Sequence, residues 1–236
     1  MAEAGMNKKP TLILLPNRDE LDQLLSEDIA KTLRTAVHNH GRACMAVSGG
    51  STPQKMLNLL GQASLDWPAI SALLVDERWL PTDHANSNEA MLKDTLLKGA
   101  GAACQYLPLK NSAAAPEDGQ YELEEQLDAL AWPLSVVHLG MGDDGHTASW
   151  FHDAPEYSIL CAAQSQHCFA VHPGSAPYAR ITLSPKAVFS SEKIVIHITG
   201  KAKREVLENA LGKYADYPIS MVLHQQQVPV DIYWAP

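Results

Sequence analysis

The 236-residue chain lacks the marks of several protein classes. Its four cysteines, Cys44, Cys104, Cys161 and Cys168, form no CxxC pair and no zinc-ligand spacing. Cys44 falls inside an apolar run and reads as a small buried hydrophobe. No run approaches the roughly 20 apolar residues of a membrane span, and the first residues carry no apolar signal core. A soluble, reduced, cytoplasmic protein is expected. Positive charge is scarce, because 18 Lys and Arg face 27 Asp and Glu for a formal net charge of −9. That balance argues against nucleic acid or an anionic membrane as partner. An anionic small molecule would need a local cluster of basic side chains. The Ser48–Pro53 loop matches neither the P-loop nor the GxGxxG pattern, which weakens a nucleotide reading of it, and no GxSxG elbow of a serine nucleophile appears. Internal repeats and low-complexity segments are missing too.

What is present is a recurring strand–helix–strand pattern. Apolar runs at Thr11–Leu15, Ala43–Val47, Ile70–Val75, Leu107–Leu109, Val136–Leu139, Cys168–Val171, Arg180–Leu183, Lys193–Thr199 and Val228–Trp234 read as strands. Helical spacing appears over Asp19–Asn39, capped by Asn17 or Asp19 and ended by Gly41, then after Pro53, from Asn86–Glu89 onward, over Pro116–Ala129, after Gly200 and over Ile219–Gln225. The alternation predicts an α/β fold with a mostly parallel sheet and helices on both faces. Residues 150–166 give no clear assignment.

Three loops carry chemistry. Leu139-Gly-Met-Gly-Asp-Asp-Gly-His-Thr-Ala-Ser149 follows a buried strand and holds three glycines, Asp143, Asp144 and His146, before a helix-like Thr147-Ala-Ser-Trp150. Glycines permit positive φ or close approach to a ligand, and ligands of open α/β sheets bind beyond the strands' carboxyl ends. Ser48, Gly49, Gly50, Ser51 and Thr52, with Pro53 at a helix start, form a candidate anion site, since free N–H groups there favour phosphate. The bland alternative is an ordinary turn with Ser or Thr as cap and Pro at the first helical position. Asp76, Glu77 and Arg78 end the third strand, where an arginine fork suits phosphate or carboxylate. Lys203 lies in a first helical turn, where its charge opposes the helix dipole, so it is either solvated or placed to meet an anion. His138 and His197 sit in apolar strands and read as satisfied core histidines; His152 and Asp143 read as surface residues. The histidine and aspartate spacing fits no HxxxH or HExxH metal pattern.

Together, the Ser48–Pro53 turn, Asp76-Glu-Arg-Trp79, Asn86 to Asn88, the Leu139–Ser149 loop, Arg180-Ile-Thr-Leu183 and Thr199-Gly-Lys-Ala-Lys203 resemble the 6-phosphogluconolactonases. The turn is shared with glucosamine-6-phosphate deaminases. The chain departs at Trp150-Phe-His-Asp153, where the family has Phe-Pro. The resemblance implies a Rossmann-like three-layer α/β/α architecture with a smaller strand-containing subregion. A single domain over residues 1–236 is expected, with 1–9 as a disordered tail. The implied activity is hydrolysis of 6-phospho-D-glucono-1,5-lactone in the pentose phosphate pathway, without metal or cofactor, by a monomer or homodimer. His146 would be the general base and Asp144 its orienting carboxylate. Arg78, Arg180 and Lys203 would hold the phosphate, with Ser48–Thr52 and Asp76 completing the substrate site. A deaminase or isomerase using Asp76 as carboxylate base, and a non-catalytic sugar-phosphate sensor, are the competing expectations.

Overall fold

The computed structural model describes residues 9–212 and 217–236. The expected tail therefore lies outside the described residues, apart from Lys9. In chain order the elements are β1 (Thr11–Leu14), α1 (Arg18–His40), β2 (Ala43–Val47), α2 (Gln54–Gly61), β3 (Ile70–Leu74), β4 (Asp76–Arg78) and α3 (Asn88–Asp94). Then come β5 (Gln105–Leu107), α4 (Pro116–Asp128), β6 (Val136–Leu139), α5 (Tyr157–Ala162), β7 (Cys168–Val171) and β8 (Arg180–Leu183). The chain closes with α6 (Pro185–Phe189), β9 (Ile194–Thr199), α7 (Lys201–Leu211), α8 (Ser220–His224) and β10 (Val230–Ala235).

Seven strands form one sheet in the order β1-β10-β9-β6-β2-β3-β5, every pairing parallel. β2 and β6 are buried along their whole length, as strands covered on both faces must be. From β2 the chain progresses outward through β3 and β5, then returns to β6 and progresses the other way. The reversal opens a crevice between the carboxyl ends of β2 and β6. Local signals act as read: the Asn17 side chain accepts from the Glu20 N–H to start α1, and Gly41 ends it at φ 71°.

Asp76–Arg78 does not extend the third strand. The chain leaves the main sheet at Val75 and enters a second, antiparallel sheet ordered β4-β8-β7. In it Asp76 faces Thr182 and Arg78 faces Arg180 across the ladder. The far edge, β7, is clasped by α4. Gln120 donates to the Cys168 carbonyl and accepts from the Ala170 N–H, and Glu124 accepts from the N–H groups of His167 and Cys168.

Glu77 is not poised for a ligand, contrary to its position in the motif. Only 1% exposed, it accepts from the backbone N–H groups of Arg78, Asn88 and Glu89 and from the Ser87 hydroxyl. Burial pushes its carboxyl above the ordinary range, while the bonds from Asn88, Glu89, Ser87 and Arg78 pull it back. The carboxyl sits at the start of α3 and accepts N–H groups that a helix start leaves free. Glu77 thus pins α3 to β4. Glu77→Ala strands several buried donors and is expected to cost about 3 kcal/mol of unfolding free energy, measured by urea denaturation.

Candidate active site

The crevice at the sheet reversal is a cleft of about 260 Å³. Its wall brings together Ser48, Gly49, Gly50, Ser51, Thr52, Asp76, Arg78, His146, Arg180 and Lys203. Asp144 stands behind the imidazole, and Asp143 and His152 are exposed. The residues singled out in the sequence come from the ends of β2, β4, β6, β8 and the start of α7, and the fold converges them on one cavity.

The loop after β6 is tightly self-bonded. The Gly142 N–H donates to the His146 carbonyl, the Gly145 N–H to the Gly142 carbonyl and the Thr147 hydroxyl to the Gly140 carbonyl. Gly145 takes φ 76° with its Cα against the Tyr217 ring. Gly142 is required for another reason: a Cβ there would lie 2.3 Å from Nδ1 and Cε1 of His146. The imidazole therefore packs against glycine backbone. Phe151 stacks on it at 4.2 Å between centroids, and the Arg180 guanidinium lies over the same phenyl ring at 5.0 Å.

Asp144 Oδ1 lies 2.5 Å from His146 Nδ1 and also accepts the His146 N–H. Burial opposes ionisation of Asp144, but the charge and hydrogen bonds of His146 outweigh it and hold the carboxyl below its ordinary value. An ionised Asp144 can only accept. It fixes the proton on Nδ1 and leaves Nε2 with its lone pair for a ligand.

Thr147–Trp150 is not helical. Thr147 and Trp150 form an antiparallel bridge, and Ala148, on the cleft wall, takes φ 48°, a costly conformation for a residue with a Cβ. The tertiary bonds of this segment explain the path. The Ser149 hydroxyl donates to Asp76 Oδ2 at 2.5 Å, the Ser149 N–H to the Thr182 hydroxyl, and Trp150 Nε1–H to the Leu183 carbonyl.

The cationic end is built from unusual neighbours. Arg78 and Arg180 oppose each other across β4 and β8, although like charges directly opposite destabilise a sheet. Asp76 lies 3.7 Å from Arg180 Nη1, and Arg78 Nη1 donates to the Asn86 carbonyl. The Nε–H of each arginine is buried without a partner. Burial pulls the Arg180 guanidinium below its ordinary value, with Asp76 opposing and Arg78 adding to the effect. Across the cleft, α2 begins at Pro53 with no side-chain cap, whereas Asn17, Ser87 and Ser184 cap α1, α3 and α6. The Ser or Thr cap of the bland alternative is not formed. Among the described residues no group of three or more His, Cys, Asp or Glu is placed to hold a metal ion.

Sequence reasoning passed over Asn88, His138 and His197, which also line the cleft. Asn88 donates to the Asp76 carbonyl, and its side chain fills the space a Cβ on Gly49 would need. Its place in the Asn86–Asn88 motif was the available signal. The two histidines are indeed buried and bonded to each other, and they form the cleft floor as well.

These features define an α/β protein with a cleft lined by two arginines and a lysine and a carboxylate-oriented imidazole at the switch point of a parallel sheet. The model of the family described as glucosamine-6-phosphate isomerases/6-phosphogluconolactonase matches residues 16–234. A 6-phosphogluconolactonase of Mesorhizobium japonicum is 36% identical over 94% of this chain and 93% of its own length. One from Pseudomonas putida is 35% identical over 94% and 91%. The crystal structure of a 6-phosphogluconolactonase from Shewanella baltica superposes with a TM-score of 0.94 at 37% identity, covering 98% of this chain and 100% of that one. The chain belongs to the glucosamine-6-phosphate isomerase/6-phosphogluconolactonase family.

Gly142→Ala should push the imidazole off Asp144 while the fold survives. The shared Nδ1 proton resonance, visible downfield by NMR in the parent, should then disappear.

Proposed function

We propose that the protein hydrolyses 6-phospho-D-glucono-1,5-lactone to 6-phospho-D-gluconate, the lactone-opening step of the pentose phosphate pathway. Relatives at about 35% identity over nearly the whole chain carry the 6-phosphogluconolactonase name. The observation that carries the chemistry is the Asp144–His146 pair, with Nδ1 occupied and Nε2 left to a ligand. A δ-lactone is an activated ester, so one oriented water suffices and no covalent intermediate is needed. His146 Nε2 takes a proton from that water as its oxygen attacks the lactone carbonyl carbon. Asp144 stabilises the imidazolium that forms. N–H groups of Gly49, Gly50 or Gly142 are the candidate donors to the developing oxyanion. As the ring C–O bond breaks, the imidazolium returns its proton to the departing oxygen.

The phosphate end follows from electrostatics. Two arginines facing each other with unpartnered buried N–H groups become favourable neighbours once an anion lies between them. Lys203, in the first turn of α7, and the uncapped start of α2 complete that end. Ser48–Thr52 supplies hydroxyl and backbone donors, and Asp76 a substrate-facing carboxylate. A free sugar phosphate does not cross membranes unaided, so we place the enzyme in the cytoplasm, acting as a monomer or homodimer. The deaminase alternative would need Asp76 as a free carboxylate base, but its Oδ2 accepts from Ser149 and faces Arg180. A non-catalytic sensor has no use for an oriented imidazole.

The direct test supplies freshly generated lactone and follows acid release, with glucosamine 6-phosphate and ammonia detection as the counter-assay. Lactone opening without ammonia is expected; ammonia release would overturn the assignment. His146→Ala should lower turnover at least about 10²-fold while inorganic phosphate still binds, and near-parental turnover would remove the proposed base. Lys203 is the cleaner probe of the phosphate end, because removing Arg180 would also leave the buried Asp76 without its counter-charge. Lys203→Ala should raise KM for the phosphorylated lactone by about tenfold and leave that of gluconolactone unchanged. Equal effects on both substrates would contradict the phosphate assignment.

A further inference from the structure

β9, β6 and β2 lie side by side. The segments that follow them carry Lys203 in the first turn of α7, His146 and the Ser48–Thr52 turn. Beneath those segments runs a row of polar side chains, of which only Ser48 enters the hydrolytic scheme. The Ser48 N–H donates to the His138 carbonyl at 3.0 Å and faces His138 Nδ1 at 3.3 Å. The Ser48 hydroxyl donates to that carbonyl and accepts from the Gly140 N–H. His138 Nε2 lies 3.4 Å from His197 Nδ1, and His197 Nε2 lies 3.6 Å from Asp22 Oδ1. Both rings are about 2% exposed or less, yet both form part of the cleft wall.

The polarity of the row follows from its two ends. A backbone N–H can only donate, so His138 Nδ1 presents a lone pair and the proton resides on Nε2. That proton points at His197 Nδ1, which leaves the His197 proton on Nε2, facing Asp22. Burial pushes the Asp22 carboxyl up to about 6, against Lys55 and Arg18 and with Asp19, so it is ionised at neutral pH and only accepts. Burial also holds both imidazoles neutral. It brings His138 down to about 4 and His197 well below its ordinary value, with His138 and Lys203 adding to the latter. Apolar side chains would fill this space at lower desolvation cost. The imidazole nitrogens instead link the Ser48 end of β2, through β6 and β9, to Asp22 on α1.

We propose that His138 and His197 are positioning residues: a neutral, tautomer-ordered imidazole pair that holds the Ser48–Thr52 turn in register with the His146 loop and the Lys203 helix start. Neither ring touches the reacting atoms. The proposal rests on the sugar-phosphate reading of the cleft.

The test combines structure and kinetics near neutral pH. In the parent protein, long-range ¹H–¹⁵N NMR should show both rings as Nε2–H tautomers. Nδ1–H on either ring would overturn the proposal whether or not the protein opens lactones. In the His138→Leu/His197→Leu variant both partners are removed together, so no imidazole is stranded. Its thermal midpoint should stay within about 3 °C of the parent or rise. Its dissociation constant for inorganic phosphate and its KM for the lactone should rise about five- to tenfold, the equivalent of one net hydrogen bond. Its kcat should change less than about threefold. His138→Asn, whose amide oxygen replaces the Nδ1 acceptor, should recover most of the phosphate affinity. Unchanged phosphate affinity in a stable double variant would show that the pair is only core filling. A parent that binds phosphate and shows the ordered tautomers but opens no lactone would sink the enzymatic reading and leave the pair standing.

Discussion

The site depends on a reversal of direction in a parallel sheet. Strands laid down on either side of β2 send their connections to opposite faces, and the loops after β2 and β6 have to part. They part only after being stitched together. Ser48 bonds to the end of β6 through both its N–H and its hydroxyl, and Gly140 bonds back to it. The two glycine loops therefore diverge from a common fixed point. The cleft width is set by the sheet's hydrogen bonds and not by the loops' own preferences.

On this frame, opposite chemistries are kept close without neutralising each other. Under the proposed function His146 must remain uncharged to accept a proton, while the arginine end must remain cationic. Phe151 touches both, with the imidazole stacked on its ring and the guanidinium over it. The ring supplies the imidazole with a stacking surface and the guanidinium with its negative face. Asp76 performs a related task on the other side, answering Arg180 and Ser149 at once. An acidic chain of net charge −9 can thus present a local cationic end, because the acids near it are already committed.

Much of this was legible in the sequence where physics is local. Hydrophobic periodicity located nearly every strand of the main sheet, and capping residues located the start and end of α1. Glycine spacing located the loop that carries His146. What was not legible depends on long-range partners. Nothing in Asp76-Glu77-Arg78 reveals that the chain crosses into a second sheet there, or that Glu77 turns inward to hold α3 while its neighbours face the cleft. Thr147–Trp150 has helix-compatible residues, but its conformation is set by bonds to Asp76, Thr182 and Leu183. The short β5 was placed two residues late, since its register is set by Ser71–Leu73 alongside. His138 and His197 were rightly read as buried. That they lie on one face of adjacent strands, and so meet, required the β6–β9 register.

The clasp of α4 on β7 bears on how the molecule behaves in a crowded cell. β7 ends the small sheet, and an open strand there would be a template on which another chain could lay its own backbone. Gln120 and Glu124 satisfy its outward amide groups from within the same molecule. The β7 edge of the small sheet that carries Arg78 and Arg180 is thereby closed to recruitment into fibrils or swapped assemblies.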